Sequence, residues 1–458
     1  MKKSLSILLA CAALLACSRV DEEIADKKYV SPVPVNEWKV AADYFYDMEA
    51  IPEIHILVSD SEWEKLLAAY DRNSDTQEYV MCDVNYTKQF ETFRCDSVGL
   101  RLKGNTSRRR PQEGKKFRHC HYGLNFREFT GKDEKRSIRG TYRFDLKWFK
   151  DDPAYVREIF CYDLFRRFGV WTAPRDSYCR LWISAGRFGS AYLGVYEQLE
   201  HVGKDYLRTR EEEFGGKDGN LWKCAWGSSL RWASGMGADD NEHWYTYTLK
   251  TNVDSGFVAA KAQMTDFITN LNKLQNDAFY QWISGVMDID LFLRTYAVNV
   301  AVGMWDDYWN NTNNYYLYFN NTDPHDYKVW FIPYDYDNTL GTTADCGVQN
   351  DAGRHDPLAW GHPEYPLVSK ILTNPVWKEK YIGYLRELCQ GEMEAGASMA
   401  RIRDWQNMVA SYVSNDTGQD MTVSDRPAPW SSHGEYRLLA PGANNFFTVK
   451  AGVVSSLK

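Results

Sequence analysis

The chain lacks the short motifs that announce a zinc finger, a redox dithiol or a hydrolase. None of its 10 cysteines stands in a zinc-type or dithiol-type pair, its 9 histidines never fall in a His-Glu-x-x-His pattern, and no Gly-x-Ser-x-Gly elbow occurs. Beyond residue 50 there is no Pro/Ser/Gly-rich linker, internal repeat or low-complexity array, so one large fold with an appended helical end is expected. No later run is apolar and long enough to cross a bilayer, which takes about 20 residues. Positive charge is also short: the net charge of −8 argues against a nucleic-acid partner. The local basic run 103–118, with Arg108-Arg109-Arg110, reads either as a solvated loop or as a holder of phosphates or an acidic partner. Cys82 and Cys95 are placed to close a hairpin if the chain is exported, although sequence does not fix connectivity.

What is present is an ordinary globular composition, 44% hydrophobic, 25% charged and 15% aromatic, behind an export signal. Met1-Lys2-Lys3 is a positive start, 5–15 a short apolar core, and Leu14-Leu15-Ala16-Cys17 ends it with a small residue before cysteine. That pattern predicts a lipoprotein signal over 1–17, with lipidation of Cys17 and attachment to the cell envelope, at an outer membrane facing the periplasm or the outside. Residues 18–50, charged and then Pro-rich at Ser31-Pro32-Val33-Pro34, read as an extended tether.

From residue 51 the pattern is strand-like at 54–58, 79–84, 97–103, 122–126, 142–148, 177–184 and 192–199. Helices are expected at 61–67, capped by Ser59, Asp60 or Ser61, and at 152–168, where Val156, Ile159, Phe160, Leu164 and Phe168 share a face and Gly169 follows. The second half is helical at 258–275, 288–304, 374–394 and 399–413. The fold class is α+β.

The segment 300–341 concentrates the chemistry. Trp305-Asp306-Asp307-Tyr308-Trp309-Asn310-Asn311-Thr312-Asn313-Asn314 leads into the strand Tyr315-Tyr316-Leu317-Tyr318-Phe319, and a second strand ends in Ile332-Pro333-Tyr334-Asp335-Tyr336-Asp337-Asn338. Two carboxylate loops are thus tied to the two ends of one hairpin, as a site handling metal and phosphate requires. Asp/Asn-rich loops also form ordinary Asx-turns, which is the plain alternative for Asp306 and Asp307.

Further blocks precede this segment: Leu102-Lys103-Gly104-Asn105-Thr106-Ser107, the stretch from Lys147-Trp148 through Asp152-Pro153 to Arg157-Glu158, Gly194-Val195-Tyr196-Glu197-Gln198-Leu199-Glu200, and Gly219-Asn220-Leu221-Trp222-Lys223. In this order they resemble the blocks of the CotH kinase family, atypical secreted kinases that include spore-coat CotH proteins. The resemblance implies an atypical protein-kinase-like fold with a β-rich N-lobe and a helical C-lobe, over 51–400, followed by a helical extension over 401–458.

It also implies roles. Asp306 is the expected catalytic aspartate, with Asp307 as its alternative. Asp335 is the expected Mg²⁺ ligand, assisted by Asp337 and Asn338, and Asn311 or Asn314 supplies an amide. The phosphate-binding cation lies among Lys103, Lys116, Lys147 and Arg157, with Glu200 as a partner to the lysine. The implied reaction is phosphoryl transfer from ATP, with Mg²⁺ or Mn²⁺, to Ser or Thr of a protein or peptide acceptor. The alternative is a catalytically degenerate surface-binding or adhesion lipoprotein that keeps the acidic cluster as a structural Ca²⁺ or Mg²⁺ site.

Overall fold

A computed structural model describes residues 38–130, 136–238, 245–254, 256–342, 351–425 and 436–458. The signal segment, Cys17 and nearly all of the tether lie outside the described residues.

The first half is a barrel. Its strands are β1 (Glu53–Leu57), β2 (Val80–Lys88), β3 (Glu91–Lys103), β6 (His121–Asn125), β7 (Arg143–Trp148), β8 (Asp176–Ser184) and β9 (Ser190–Glu200), with a short hairpin of β4 (Gln112–Glu113) and β5 (Lys116–Phe117) outside it. The expected mostly antiparallel sheet is found, in the order β1-β2-β3-β6-β7-β9-β8, and it closes through parallel pairing of β1 with β8, Glu53 opposite Arg180. Closure leaves no open edge to template aggregation. Alternating residues of β1 and β2 point inward, and Ile54, Ile56, Val84, Tyr86, Leu100, Tyr122, Phe144 and Leu181 fill the interior. Helix Asp60–Arg72, capped by the Ser59 side chain, lays Trp63 against this core, where its indole donates to Gln112 Oε1 at 2.7 Å. Cys82 and Cys95 are free thiols, because the register sets Cys82 opposite Val98 and Cys95 opposite Val84.

Between β7 and β8 runs the helix Arg157–Arg167, starting later than the expected residue 152. The Asp152 carboxylate accepts the backbone N–H groups of Ala154, Val156 and Arg157, and Asp151 and Tyr155 have φ of 59° and 58°. Left-handed residues interrupt a helix, so Asp152 organises a turn here and caps the start of helix Arg157–Arg167.

The second half surrounds a five-stranded sheet of β10 (Asn220–Cys224), β11 (Met236–Gly237), β12 (Tyr247–Leu249), β13 (Tyr315–Phe319) and β14 (Val329–Pro333), in the order β11-β12-β10-β13-β14. Helices Phe257–Lys273, Ile289–Ala301, Pro375–Gln390, Ala395–Val409 and Phe446–Ser455 pack around it, together with Asn276–Val286, which the hydrophobic periodicity did not mark. Helix Ile289–Ala301 is buried along most of its length, with Tyr296 stacked on Tyr381 and Phe292 edge-on to Phe331. One hydrophobic core joins these elements to helix Arg157–Arg167, and the barrel interior forms a second.

Candidate functional site

β7 brings Lys147 to the end of the barrel that faces the second half, and the Asp152 turn returns the chain so that Glu158 opens the next helix. From the other side, β14 ends at Pro333 and the chain turns sharply at Asp335, whose φ is 64°. The Asp335 N–H donates to Tyr162 Oη at 3.0 Å and the Tyr336 N–H to Glu158 Oε1 at 3.1 Å, docking the hairpin end on the helix. Lys147 Nζ then bridges the halves, donating to Glu158 Oε2 and, at 2.5 Å, to Asp335 Oδ1. Burial works against the Lys147 ammonium, but Asp335 and Glu158 outweigh it and hold its pKa well above the ordinary lysine value. Burial likewise pushes the Asp335 carboxyl up, and Lys147 more than reverses that.

Lys147 and Asp335 line a cleft of about 900 Å³ that also contains Lys103, the turn Gly104–Ser107, His121, Asp306, Asn311, Asn314, Asp337 and Asn338, with Glu158 buried behind it. Asp306 is held by amides. Its Oδ1 accepts Asn311 Nδ2 at 2.5 Å and Asn313 Nδ2 at 3.3 Å, and its backbone carbonyl accepts Asn314 Nδ2 at 2.9 Å. Burial raises its pKa, against the lowering by these amides. Asn311 Oδ1 in turn accepts the indole N–H of Trp226, a side chain 72% exposed at the cleft.

Glu158, Asp335 and Asp337 each offer a carboxylate oxygen within 4.8 Å of the others. Asp337 Oδ1 is buried without a hydrogen-bond partner among the described residues, and burial plus repulsion from Asp335 pushes the Asp337 carboxyl well up. An orphaned carboxylate oxygen beside another carboxylate fits a hard divalent cation, which takes oxygen ligands. Since Glu158 is held by Lys147 and the Tyr336 N–H, Asp335 and Asp337 are the residues that would bind such an ion.

A family model described as CotH kinase protein matches residues 100–437. The chain belongs to the CotH kinase family. Among curated proteins it is 22% identical over 300 residues to "Spore coat protein homolog 1" of Rhizopus delemar, covering 60% of this chain and 44% of that protein. It is 24% identical over 363 residues to "Invasin CotH7" of the same fungus, covering 76% of this chain and 53% of that protein. The chain thus spans about half the length of these curated relatives.

Within this CotH family chain, the cleft gathers Lys103, Lys147, Asp306, Asn311, Asn314, Asp335 and Asp337 from the residues singled out by sequence. Others lie elsewhere. Lys116 is exposed on β5, outside the cleft. Arg157 is buried against the Asp152 carboxylate. Glu200 is buried between Arg175 and Arg210, with Arg210 Nη2 at 2.8 Å and the Arg175 N–H at 2.9 Å. Asp307 caps the short helix Tyr308–Asn311 and accepts Asn310 N–H, Asn299 Nδ2 and Trp360 Nε1. Sequence reasoning gave no role to Glu158, His121 or Lys223. Glu158 carried no local signal, since helical spacing made it one more residue of a helix from 152, and only the Asp152 turn sets it against Lys147. His121 is buried, and that burial, then Lys147, pushes its pKa down to about 3.

Proposed function

We propose that this CotH family chain is a phosphotransferase that moves the γ-phosphoryl group of ATP to a Ser or Thr hydroxyl of a protein or peptide, with Mg²⁺ or Mn²⁺. The observation that carries this is the Lys147 bridge from Glu158 on a helix to Asp335 after a hairpin. Protein kinases need a strand lysine paired to a helix glutamate and a metal-binding aspartate in place together. A β-rich half presenting Lys147, a helical half presenting Asp306 and Asp335, and a cleft between them are what a kinase-like pair of lobes would supply.

In this reading Lys147 Nζ, held by Glu158, turns to the phosphate oxygens of ATP. Asp306, oriented by Asn311 and Asn313, accepts the proton of the acceptor hydroxyl as its oxygen bonds to the γ-phosphorus and the bond to the β-phosphate oxygen breaks, releasing ADP. Asp335 and Asp337 would hold the divalent ion. That ion, when bound, offsets charge on the β- and γ-phosphate oxygens. Asn311 Oδ1 is engaged by Trp226, whereas the amide oxygen of Asn314 has no hydrogen-bond partner among the described residues, which favours Asn314 as the amide ligand.

A second reading, a surface-binding protein with a structural cation, is favoured by the relative named as an invasin. A thermal-shift titration separates the two. Mg·ATP is expected to raise the melting temperature of the wild type by a few degrees, as ligand linkage requires at saturation, and to leave Asp335→Ala unmoved. Equal ATP stabilisation of both proteins would remove the metal assignment. A rise with Ca²⁺ and none with nucleotide would favour the binding protein.

A further inference from the structure

β6 lies between β3 and β7. The register sets Lys103 opposite His121, and the pairing of Tyr122 with Leu146 sets His121 beside Lys147 one step further along the same ladder. Three nitrogen-bearing side chains therefore form a row across three adjacent strands, and all three line the cleft. The two lysines are engaged by carboxylates, Lys103 by Asp145 and Lys147 by Glu158 and Asp335. The histidine between them is different. His121 is only 6% exposed, and its Nδ1 accepts the backbone N–H of Trp148 at 3.0 Å.

An imidazole whose Nδ1 accepts a hydrogen bond carries its proton on Nε2. Among the described residues that Nε2–H has no acceptor, and it opens on the cleft, where solvent or a ligand oxygen can meet it. The ring edge next to Nε2 faces the turn after β3, since a Cβ added to Gly104 would sit 3.1 Å from His121 Cδ2. The unpaired donor thus lies between two lysines and under a glycine turn, in the wall of the cleft that holds Asp335.

The geometry points to His121 Nε2–H as a neutral hydrogen-bond donor to a phosphate oxygen of a polyphosphate ligand. This deepens the phosphotransferase reading and rests on it for the identity of the ligand as ATP. A neutral donor suits the place: a third cation between Lys103 and Lys147 would repel both, whereas an imidazole N–H adds direction without charge. An arriving phosphate oxygen gives the orphan donor its acceptor, so the bond forms on binding.

The test is titration calorimetry of the full chain with Mg·ATP and, separately, with sodium tripolyphosphate. Wild type is compared with His121→Asn, whose side-chain oxygen can still accept the Trp148 N–H while the far donor is gone, and with His121→Phe. Both ligands are expected to bind the Asn variant roughly five- to tenfold more weakly, the loss of one neutral hydrogen bond, with the melting temperature preserved. Wild-type affinity in both variants overturns the assignment. If the wild type binds tripolyphosphate through His121 but not ATP, the phosphate site stands and the kinase reading falls; if it binds neither, both fall. Should the variants fail to fold, histidine-¹⁵N-labelled wild type decides: the His121 Nε2–H resonance must move on saturation with tripolyphosphate, and an unmoved resonance sinks the proposal.

Discussion

Asp307 accepts hydrogen bonds from the Asn310 N–H, Asn299 Nδ2 and Trp360 Nε1, while Asp306, one residue earlier, faces the cleft. Burial pushes the Asp307 carboxyl up to about 6, with the hydrogen bonds from Asn299 and Trp360 acting the other way. A carboxyl whose folded pKa exceeds its unfolded value near 3.9 takes up a proton on folding. Its stabilising contribution is fully present below about pH 4 and is lost as pH rises through about 6, a change on the order of 3 kcal/mol. Asp307→Asn cannot take up that proton. Urea melts at several pH values should therefore show the wild type's advantage over Asp307→Asn shrinking between about pH 4 and pH 7, and a constant gap would contradict the assignment. The two aspartates also show how much of the site the sequence revealed. Asp306, Asn311, Asn314, Asp335 and Asp337 were legible because one hairpin ties them together locally. Glu200 was put forward because it ends a strand, but its partners Arg175 and Arg210 come from other elements, and only the fold brings them to it. Glu158 meets Lys147 only because a turn built by Asp152 folds the chain back, a tertiary fact that helical spacing alone does not contain.

Strands and helices were legible where local composition or period decided them. The barrel's members were expected from β-branched and aromatic runs between turn residues, and helix Ile289–Ala301 from its apolar face. Closure was not, because the β1–β8 pairing joins segments far apart in sequence and leaves no local mark. The turn after β3 is the element most exposed to a simple test. Gly104 has φ of 96°, and a Cβ there would lie 2.3 Å from Ser107 Oγ. Arg108 fixes the turn from outside, its Nε donating to the Gly104 carbonyl at 3.1 Å and its Nη1 to the Thr76 carbonyl at 2.7 Å. Gly104→Ala must therefore move the turn or strain it, at a cost of about 1–2 kcal/mol. If the turn covers the phosphates, the folded variant should also bind Mg·ATP on the order of tenfold more weakly, which a loss of global stability alone would not produce. Calorimetry beside a urea melt checks this, and unchanged affinity in a destabilised variant would leave Gly104 with a folding role alone.

Across the whole molecule, the chain after helix Ala395–Val409 returns to the barrel and joins its two halves. The helix itself holds the helix of Glu158, with Arg401 Nη1 3.1 Å from Asp163 Oδ2 and Gln406 Nε2 donating to the Ala154 carbonyl at 3.1 Å. Beyond it, Asp416 exchanges hydrogen bonds with the Tyr192 backbone of β9, and Gln419 Oε1 accepts from Arg109, which lies over the Trp148 ring at 4.1 Å. Asp420 Oδ2 accepts the Trp148 indole N–H at 2.9 Å, and the Asp420 carbonyl accepts Tyr155 Oη. Trp148 follows Lys147 directly, so this returning segment clamps the strand that carries the bridging lysine. Asp420→Ala strands the Trp148 indole N–H, a loss of about 1–3 kcal/mol, while Asp420→Asn keeps an acceptor. The expected outcome is faster amide exchange in β7 and weaker Mg·ATP binding for the Ala variant, with the Asn variant close to wild type. If β7 exchange and nucleotide affinity stay at wild-type values in Asp420→Ala, the segment is a passive cover, and Lys147 is positioned by Glu158 and Asp335 without it.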